Sequence, residues 1–128
     1  MHEAALAAPL LRLVLEETAK QERELEQRLR VTRVRVRAGL LTGVEAHTLR
    51  GIFALMAEGT PAEGAELLVE PEPMRGSCPD CGARDFSTGT RQFRCPSCGG
   101  ENTDWNGGNE LYIASIEVKP IAGATRPE

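Results

Sequence analysis

The stretch from residue 78 to residue 99, CPDCGARDFSTGTRQFRCPSCG, decides how this part of the chain folds. It holds all four cysteines in two knuckles of the same form, CPDCG and CPSCG, with the spacing C-x2-C-x13-C-x2-C. In each knuckle a proline fixes the turn after the first cysteine, and a glycine lets the backbone fold beneath a bound ion. Four thiolates at this spacing are typical of a tetrahedral zinc site. The predicted zinc ligands are Cys78, Cys81, Cys95 and Cys98.

The segment around the knuckles, residues 74–108, is rich in glycine, cysteine, proline and serine and poor in aliphatic side chains. Because it cannot build an apolar core of its own, we expect the metal to stabilise it. Four sulfur ligands leave no open position for water, so the predicted zinc is structural and not catalytic. A rubredoxin-like iron site is the alternative, which the expected scarcity of packed aromatic side chains disfavours. An iron site would be red and a zinc site colourless.

Composition and charge narrow the class of protein. The 128 residues carry a formal net charge of −4, which argues against binding nucleic acid through the overall field. The leucine-rich start has no basic residues before it and ends at Glu16 and Glu17, unlike a signal peptide or a membrane span. We therefore expect a cytoplasmic chain, whose reduced cysteines bind metal instead of forming disulfides.

Two amphipathic helices are predicted. The first covers about residues 4–28, with Pro9 expected to start the regular helix near Ala8 or to bend it, leaving residues 1–4 free. The second follows TGVE, a capping box in which Thr42 and Glu45 bond reciprocally, and ends at Gly59. Its apolar positions are spaced as on one helical face: Leu49, Ile52, Phe53 and Met56.

Three segments have the pattern of strands. In RVTRVRVRAG, residues 30–39, valines alternate with arginines, which predicts one buried face and one face open to solvent or to an acidic partner. EGAELLVEPEP predicts a strand through about Val69, closed by prolines, and NELYIASIEVK predicts another. These elements suggest one domain from residues 1–73 and 109–120, a zinc module at 74–108 and a disordered tail at 121–128.

The first three residues, Met1, His2 and Glu3, contain several possible metal ligands. The amine of Met1, the amide and imidazole of His2, and the amide or carboxylate of Glu3 can close adjacent chelate rings. Nitrogens near one plane suit Ni(II) or Cu(II). An ordinary solvated histidine is the alternative that these residues leave open.

Taken together, MHE, GTPAEGAELLVE, the two CPxCG knuckles and GGNELYIASIEV resemble the HypA/HybF family, the nickel metallochaperones of nickel–iron hydrogenase maturation. The resemblance covers nearly all of residues 1–119. It implies an α+β fold, in which two helices pack on a small three-stranded mixed sheet and a four-cysteine zinc-ribbon module is inserted.

The resemblance also implies functional residues and partners. His2 would be the nickel ligand, with Glu3 beside it, the Met1 amine as a further donor, and Glu45 close to the nickel. The same cysteines, Cys78, Cys81, Cys95 and Cys98, would hold structural zinc, and Ni(II) would be a transient cargo. The implied partners are a nickel-handling GTPase and the hydrogenase large subunit, with urease maturation proteins for some members. His47 and Pro9 depart from the family pattern.

Two other functions compete with nickel delivery. A zinc-ribbon module that binds nucleic acid or a transcription complex would use aromatic side chains and a basic patch: Phe86, Phe93 and Trp105, with Arg28, Arg30, Arg33, Arg35 and Arg37. An enzyme is disfavoured because the sequence has no glycine-rich phosphate loop, no nucleophile elbow and no zinc pattern with an open position.

Overall fold

The structure, a computed structural model, describes residues 3–88 and 93–125. The chain divides into two compact units. Unit 1 comprises Met1–Val36, Val44–Val69 and Ile113–Glu128, and unit 2 comprises Arg37–Gly43 and Glu70–Tyr112. Unit 2 thus contains the predicted zinc module of residues 74–108 together with flanking segments that were expected to belong to the first domain.

The first helix, α1, runs from Glu3 to Leu25 and passes through Pro9. The expectation that the regular helix begins near Ala8 is therefore wrong. Pro9 removes one backbone hydrogen bond, but a buried stripe on either side of it keeps the helix packed. The stripe consists of Ala7, Leu10, Leu11, Val14 and Thr18.

Strand β1, Gln27–Gly39, contains the predicted valine–arginine segment and extends it toward α1. Leu29 and Val31, at odd-numbered positions, are buried in the first half of the strand, and Val34 and Val36, at even-numbered positions, in the second half. Thr32 and Arg33 between them are both exposed, so the alternation shifts by one residue there, as it does at a β-bulge. A short 3-10 turn, Leu40–Thr42, follows the strand.

The second helix, α2, runs from Ala46 to Met56 and buries Leu49 and Phe53 against α1 in unit 1. The predicted capping box is wrong. Glu45 is itself the N-cap, and its carboxylate accepts from the amides of His47 and Thr48 at 3.1 and 2.6 Å. The Thr42 hydroxyl instead donates to the Gly39 carbonyl, because the 3-10 turn places it before the helix.

Strand β1 is the centre of a three-stranded sheet with β2, Glu66–Glu72, and β6, Leu111–Thr125, at its edges. Arg33 pairs with Glu66 and Arg37 with Glu70, so the partners advance in the same direction and β1 and β2 are parallel. The Gly39 amide donates to the Glu110 carbonyl and the Thr32 hydroxyl to the Glu117 carbonyl, so the partners run in opposite directions and β6 is antiparallel to β1. The sheet is therefore mixed, as predicted.

The prolines of this sheet lie within its edge strands. Pro71 was expected to help close β2, but the strand runs on to Glu72, because an edge strand needs only one of its two rows of backbone hydrogen bonds. Strand β6 continues through Pro120 to Thr125, where a disordered tail was predicted from residue 121. Residues 126–128 lie outside the described part of the chain.

A second, small sheet forms in unit 2, which the sequence analysis did not predict. Its antiparallel strands are β3, Met74–Ser77, β4, Phe86–Thr88, and β5, Asp104–Asn106, with β3 in the centre. Gly76 lies between two aromatic rings, and a Cβ there would come within 2.6 Å of Phe86 and 2.8 Å of Trp105. This sheet supports the cysteine knuckles.

Candidate metal centre

The four cysteine sulfurs converge in unit 2, as the spacing predicted. All four Sγ atoms lie within 4.8 Å of one another. The distance between Sγ atoms is 3.8 Å for Cys78 and Cys98 and 3.5 Å for Cys81 and Cys95. A tetrahedral ion bonded to sulfur at about 2.3 Å has ligand atoms separated by roughly 3.8 Å. The two separations are close to this value, so the arrangement of the cluster suits a four-coordinate metal ion.

The two knuckles have the same backbone structure. In the first, the Gly82 amide donates to the Cys78 carbonyl at 2.9 Å, and in the second, the Gly99 amide donates to the Cys95 carbonyl at 2.8 Å. Gly82 and Gly99 have φ values of 81° and 72°, in the left-handed region where glycine is favoured. The glycine of each CPxCG motif is thus required by the turn that brings its pair of thiolates together.

Backbone amides also point at the sulfurs. The amides of Ser97 and Gly100 donate to Cys95 and Cys98, each at 3.4 Å from Sγ. Amide donors from Cys98 and Ser97 lower the pKa of the Cys95 thiol to about 7, although burial opposes this. Cys78 and Cys95 are buried, whereas Cys81 and Cys98 are exposed. A bound cation would balance the charge that four thiolates bring to this partly buried cluster.

Three aromatic side chains pack together in the same unit. Phe86 and Phe93 both meet Trp105 edge to face, with ring centroids 5.5 and 5.7 Å apart. Edge-to-face contacts of this kind are favourable. The expected scarcity of packed aromatic side chains is therefore wrong, and it no longer distinguishes zinc from iron.

The predicted nickel site is described only in part. Met1 and His2 lie outside the described residues. Glu3 begins α1, and its carboxylate accepts from the Glu45 amide at 3.2 Å. That hydrogen bond is the main cause of a lowered Glu3 pKa. The structure therefore brings Glu3 next to Glu45, which are 42 residues apart in the chain.

The carboxylate of Glu45 accepts hydrogen bonds from the first turn of α2. Besides the two amides, it accepts from the Thr48 hydroxyl, and these bonds lower the Glu45 pKa, the Thr48 hydroxyl most of all. Sequence reasoning missed Thr48, although the short spacing in EAHT could have indicated this cap. His47 is exposed on the first turn of α2. Among the described residues, only the four cysteines form a group of three or more possible ligands.

Two arginines on the exposed face of β1 are paired with carboxylates. Arg33 lies 2.7 Å from Glu66 and 3.5 Å from Glu117, and the adjacent glutamate raises its pKa through a hydrogen bond. Arg37 lies 2.7 Å from Glu72 and is likewise raised in pKa by it. Positive charges neutralised in this way are poor partners for phosphate, which weakens the nucleic-acid alternative. No helix in the described residues is long and apolar enough to cross a membrane.

Comparison with known proteins gives the family context. Residues 1–118 match the family model described as hydrogenase/urease nickel incorporation, metallochaperone, hypA. The hydrogenase maturation factor HypA of Chloroflexus aurantiacus is 38% identical over 118 residues, covering 92% of this chain and 99% of the relative. That of Azorhizobium caulinodans is 42% identical over the same shares.

Two solved structures share the fold. The solution structure of the Ni metallochaperone HypA from Helicobacter pylori is 22% identical, with a TM-score of 0.56, and covers 91% of this chain and 97% of its own. The solution structure of a HypA protein is 24% identical, with a TM-score of 0.58, and the match covers 91% of this chain and 95% of that protein. Because the family model spans residues 1–118 and relatives above 35% identity cover nine tenths of the sequence, the chain belongs to the HypA family of metallochaperones for nickel incorporation, which are maturation factors and not enzymes.

Proposed function

We propose that this chain binds Ni(II) through Met1, His2 and Glu3 and delivers it during maturation of nickel–iron hydrogenase, while Cys78, Cys81, Cys95 and Cys98 hold a structural zinc ion. The match to the nickel-incorporation family over residues 1–118 is the observation that carries this proposal. The geometry of the described residues supports separate roles for the two metals.

Zinc suits the cysteine cluster because its ligand set is complete. Four thiolates close a tetrahedral site, and zinc would supply there the cross-link that the aliphatic-poor module lacks. Sulfur separations of 3.5 and 3.8 Å support this role. Four sulfurs also suit iron, so the absence of a red colour in the purified protein would support zinc over iron.

Nickel delivery calls for a different kind of site. The nitrogen ligands of the first three residues would lie in the planar arrangement that Ni(II) favours. Such ligands can be replaced by those of a partner more easily than the ligands of a closed tetrahedral site can. Affinity should fall at acid pH, because protonation of the imidazole removes a ligand. Copper should bind more tightly than nickel in vitro, so selectivity would depend on metal supply and on partners.

Glu45 has a restricted part in this proposal. Its carboxylate can join the nickel ligands only by releasing the amides at the start of α2. Its backbone amide holds the Glu3 carboxylate. We therefore assign Glu45 chiefly to the support of Glu3, and we assign nickel coordination to the first three residues.

The proposed partners follow from the family. Relatives are named hydrogenase maturation factors. The proposed partners are a nickel-handling GTPase, with which the chain would work, and the hydrogenase large subunit, to which it would deliver nickel. Urease maturation proteins are further candidates. Reduced thiolates at the cysteine cluster suit the cytoplasm, where such enzymes would be assembled.

A nickel titration of the untagged protein tests the proposal. We expect one equivalent of Ni(II) bound with a planar nitrogen signature in its absorption and X-ray spectra. His2→Ala, or one residue added before Met1, should abolish this binding while zinc content, measured by mass spectrometry, stays the same. His47→Ala is the matched control and should bind nickel normally. Unchanged nickel stoichiometry in His2→Ala would refute the proposed site.

A cysteine variant tests the structural role of zinc. Cys78→Ala should lose the zinc and unfold residues 74–108 locally, while helical circular dichroism from α1 and α2 persists. Ser87→Ala, an exposed position in β4 of the same module, is the control and should keep its zinc. Loss of the helical signal in Cys78→Ala would contradict a zinc module that folds separately from the helices.

A further inference from the structure

The four cysteines of the cluster differ in exposure in a regular way. The first cysteine of each knuckle is buried, with Cys78 and Cys95 each 2% exposed, whereas the second, Cys81 or Cys98, is exposed. Oxidants in solution react with thiolates that they can reach, and buried cysteines are inert by comparison. Each knuckle therefore offers one cysteine to an oxidant and shields the other.

Each exposed cysteine lies beside the buried cysteine of the other knuckle. The Sγ atoms are 3.5 Å apart for Cys81 and Cys95 and 3.8 Å apart for Cys98 and Cys78. These pairs join positions that are 14 and 20 residues apart in the chain. An oxidised sulfur on either exposed cysteine thus has a second sulfur, of the opposite knuckle, almost in contact with it.

The backbone of each knuckle favours a disulfide between the knuckles over a disulfide within one. In the first knuckle the Cys78 amide donates to the Ala83 carbonyl at 2.8 Å and the Gly82 amide to the Cys78 carbonyl at 2.9 Å. The second knuckle has the same two hydrogen bonds, at 2.9 and 2.8 Å. Because a disulfide has strict geometry, forming one inside a knuckle would distort this turn. A disulfide across the cluster requires only that one intact turn moves relative to the other.

We propose that the cluster is a redox switch, in which a peroxide oxidises the exposed Cys81 and Cys98 and disulfides then form across it, Cys81 with Cys95 and Cys98 with Cys78. The metal-bound state belongs to the reduced protein, and the disulfide state to the oxidised one. The switch rests on the structural zinc of the proposed function and adds its regulation. Disulfides in reducing compartments are mostly of this transient, redox-sensing kind.

One molecule of hydrogen peroxide accounts for each disulfide. The Cys81 thiolate attacks a peroxide oxygen, the O–O bond breaks and hydroxide leaves, which gives a sulfenic acid on Cys81. The Cys95 thiolate attacks that sulfur, the S–O bond breaks, and a second hydroxide leaves. The two sulfurs have then lost two electrons in all, which the peroxide has gained, with no change in the charge of the metal ion.

Each disulfide removes two of the four metal ligands, so oxidation releases the zinc ion. The new bonds join the same two turns that the metal joined, and the module therefore keeps a cross-link that holds it folded. The single tryptophan of the chain reports on this, because Trp105 packs edge to face with Phe86 and Phe93 in unit 2. A thiol reductant cleaves the disulfides and lets zinc bind again.

Peroxide titration of the untagged, zinc-loaded protein tests the switch. We expect about two equivalents of hydrogen peroxide to release the bound zinc, measured with a chromogenic chelator. Trypsin cleaves after Arg84 and Arg94, so it places the two knuckles in separate peptides. Mass spectrometry without reduction should find these peptides joined through Cys81 with Cys95 and Cys78 with Cys98. Dithiothreitol with added zinc should restore the starting metal content.

Protein stripped of zinc by a chelator under reducing conditions is the matched control, since it loses the metal without gaining disulfides. Its Trp105 emission should shift toward that of an unfolded chain, whereas peroxide-treated protein should keep most of the emission of the zinc-loaded form. Zinc retained after excess peroxide, disulfides confined within knuckles, or Trp105 emission equal to that of the stripped control would each overturn the switch. Metal analysis before peroxide is added tests the zinc assignment separately, and the disulfide pairs test the switch whichever ion the cluster held.

Discussion

Phe53 offers the sharpest test of how the two helices are held together. It is 1% exposed and is the largest fully buried side chain among the described residues. Replacing it with alanine removes the favourable transfer of the ring from water and leaves a cavity, which together lower the free energy of unfolding by about 3–5 kcal/mol. That is a large part of the roughly 5–15 kcal/mol by which a typical domain is stable.

The loss can be converted to a melting temperature. Unit 1, which contains Phe53, has about 80 residues and so an unfolding entropy of roughly 170 cal/mol/K if it unfolds in one transition. A loss of about 4 kcal/mol therefore lowers its Tm by roughly 25 °C. Thermal unfolding followed by circular dichroism at 222 nm measures this directly, with zinc content determined on the same samples.

Leu55 supplies the matched control, because it lies two residues further along α2 and is 69% exposed. Leu55→Ala should change stability by no more than about 0.5 kcal/mol. Equal melting temperatures for Phe53→Ala and Leu55→Ala would refute the assignment of the core to this face of α2. Zinc lost from folded Phe53→Ala would show that the cysteine cluster depends on the helix core, contrary to the separate roles proposed.

Three further predictions can be checked by thermal unfolding. Glu45→Ala should lower Tm by removing the cap of α2, whereas Glu45→Asn, a good cap without charge, should keep most of it; equal losses would contradict the capping role. Gly39→Ala should be strongly destabilising, since its Cβ would lie 2.3 Å from the Gly108 carbonyl oxygen, and a mild effect would contradict that close approach. The hydrogen bond from Arg37 lowers the pKa of Glu72 below its ordinary value of 4.5. The ion pair therefore stabilises the fold above pH 4.5, and this stabilisation is lost as pH falls through the lowered pKa. The difference in Tm between Glu72→Gln and the parent protein should accordingly shrink at acid pH, and a difference that does not change with pH would count against the ion pair.

The four-cysteine cluster was the most predictable part of the candidate site. Each knuckle is a local turn of five residues, so the identities and spacing of Cys78 and Cys81, and of Cys95 and Cys98, contain nearly all the information needed. The surroundings of the proposed nickel site were less predictable. That Glu3 meets Glu45 depends on how the starts of α1 and α2 come together, and no local pattern encodes a contact between such distant residues.

The sequence by itself determined the class of the protein. Periodicity indicated two helices and the three strands of the main sheet, knuckle spacing predicted the cysteine cluster, and the combined motifs placed the chain in the right family. These features depend on short-range geometry, in which a residue's type and its neighbours within a few positions decide the outcome.

Tertiary structure decided what local propensity could not. Pro9 lies inside a helix because buried side chains on both sides of it outweigh one lost hydrogen bond, and Pro71 lies within a strand because that strand is at the edge of its sheet. Glu45, and not Thr42, caps α2 because a 3-10 turn occupies the residues before it, and the Leu41 amide of that turn donates to the distant Gly108 carbonyl. In each case the free energy gained from packing and hydrogen bonds with distant parts of the chain is larger than the free energy lost by going against the local preference.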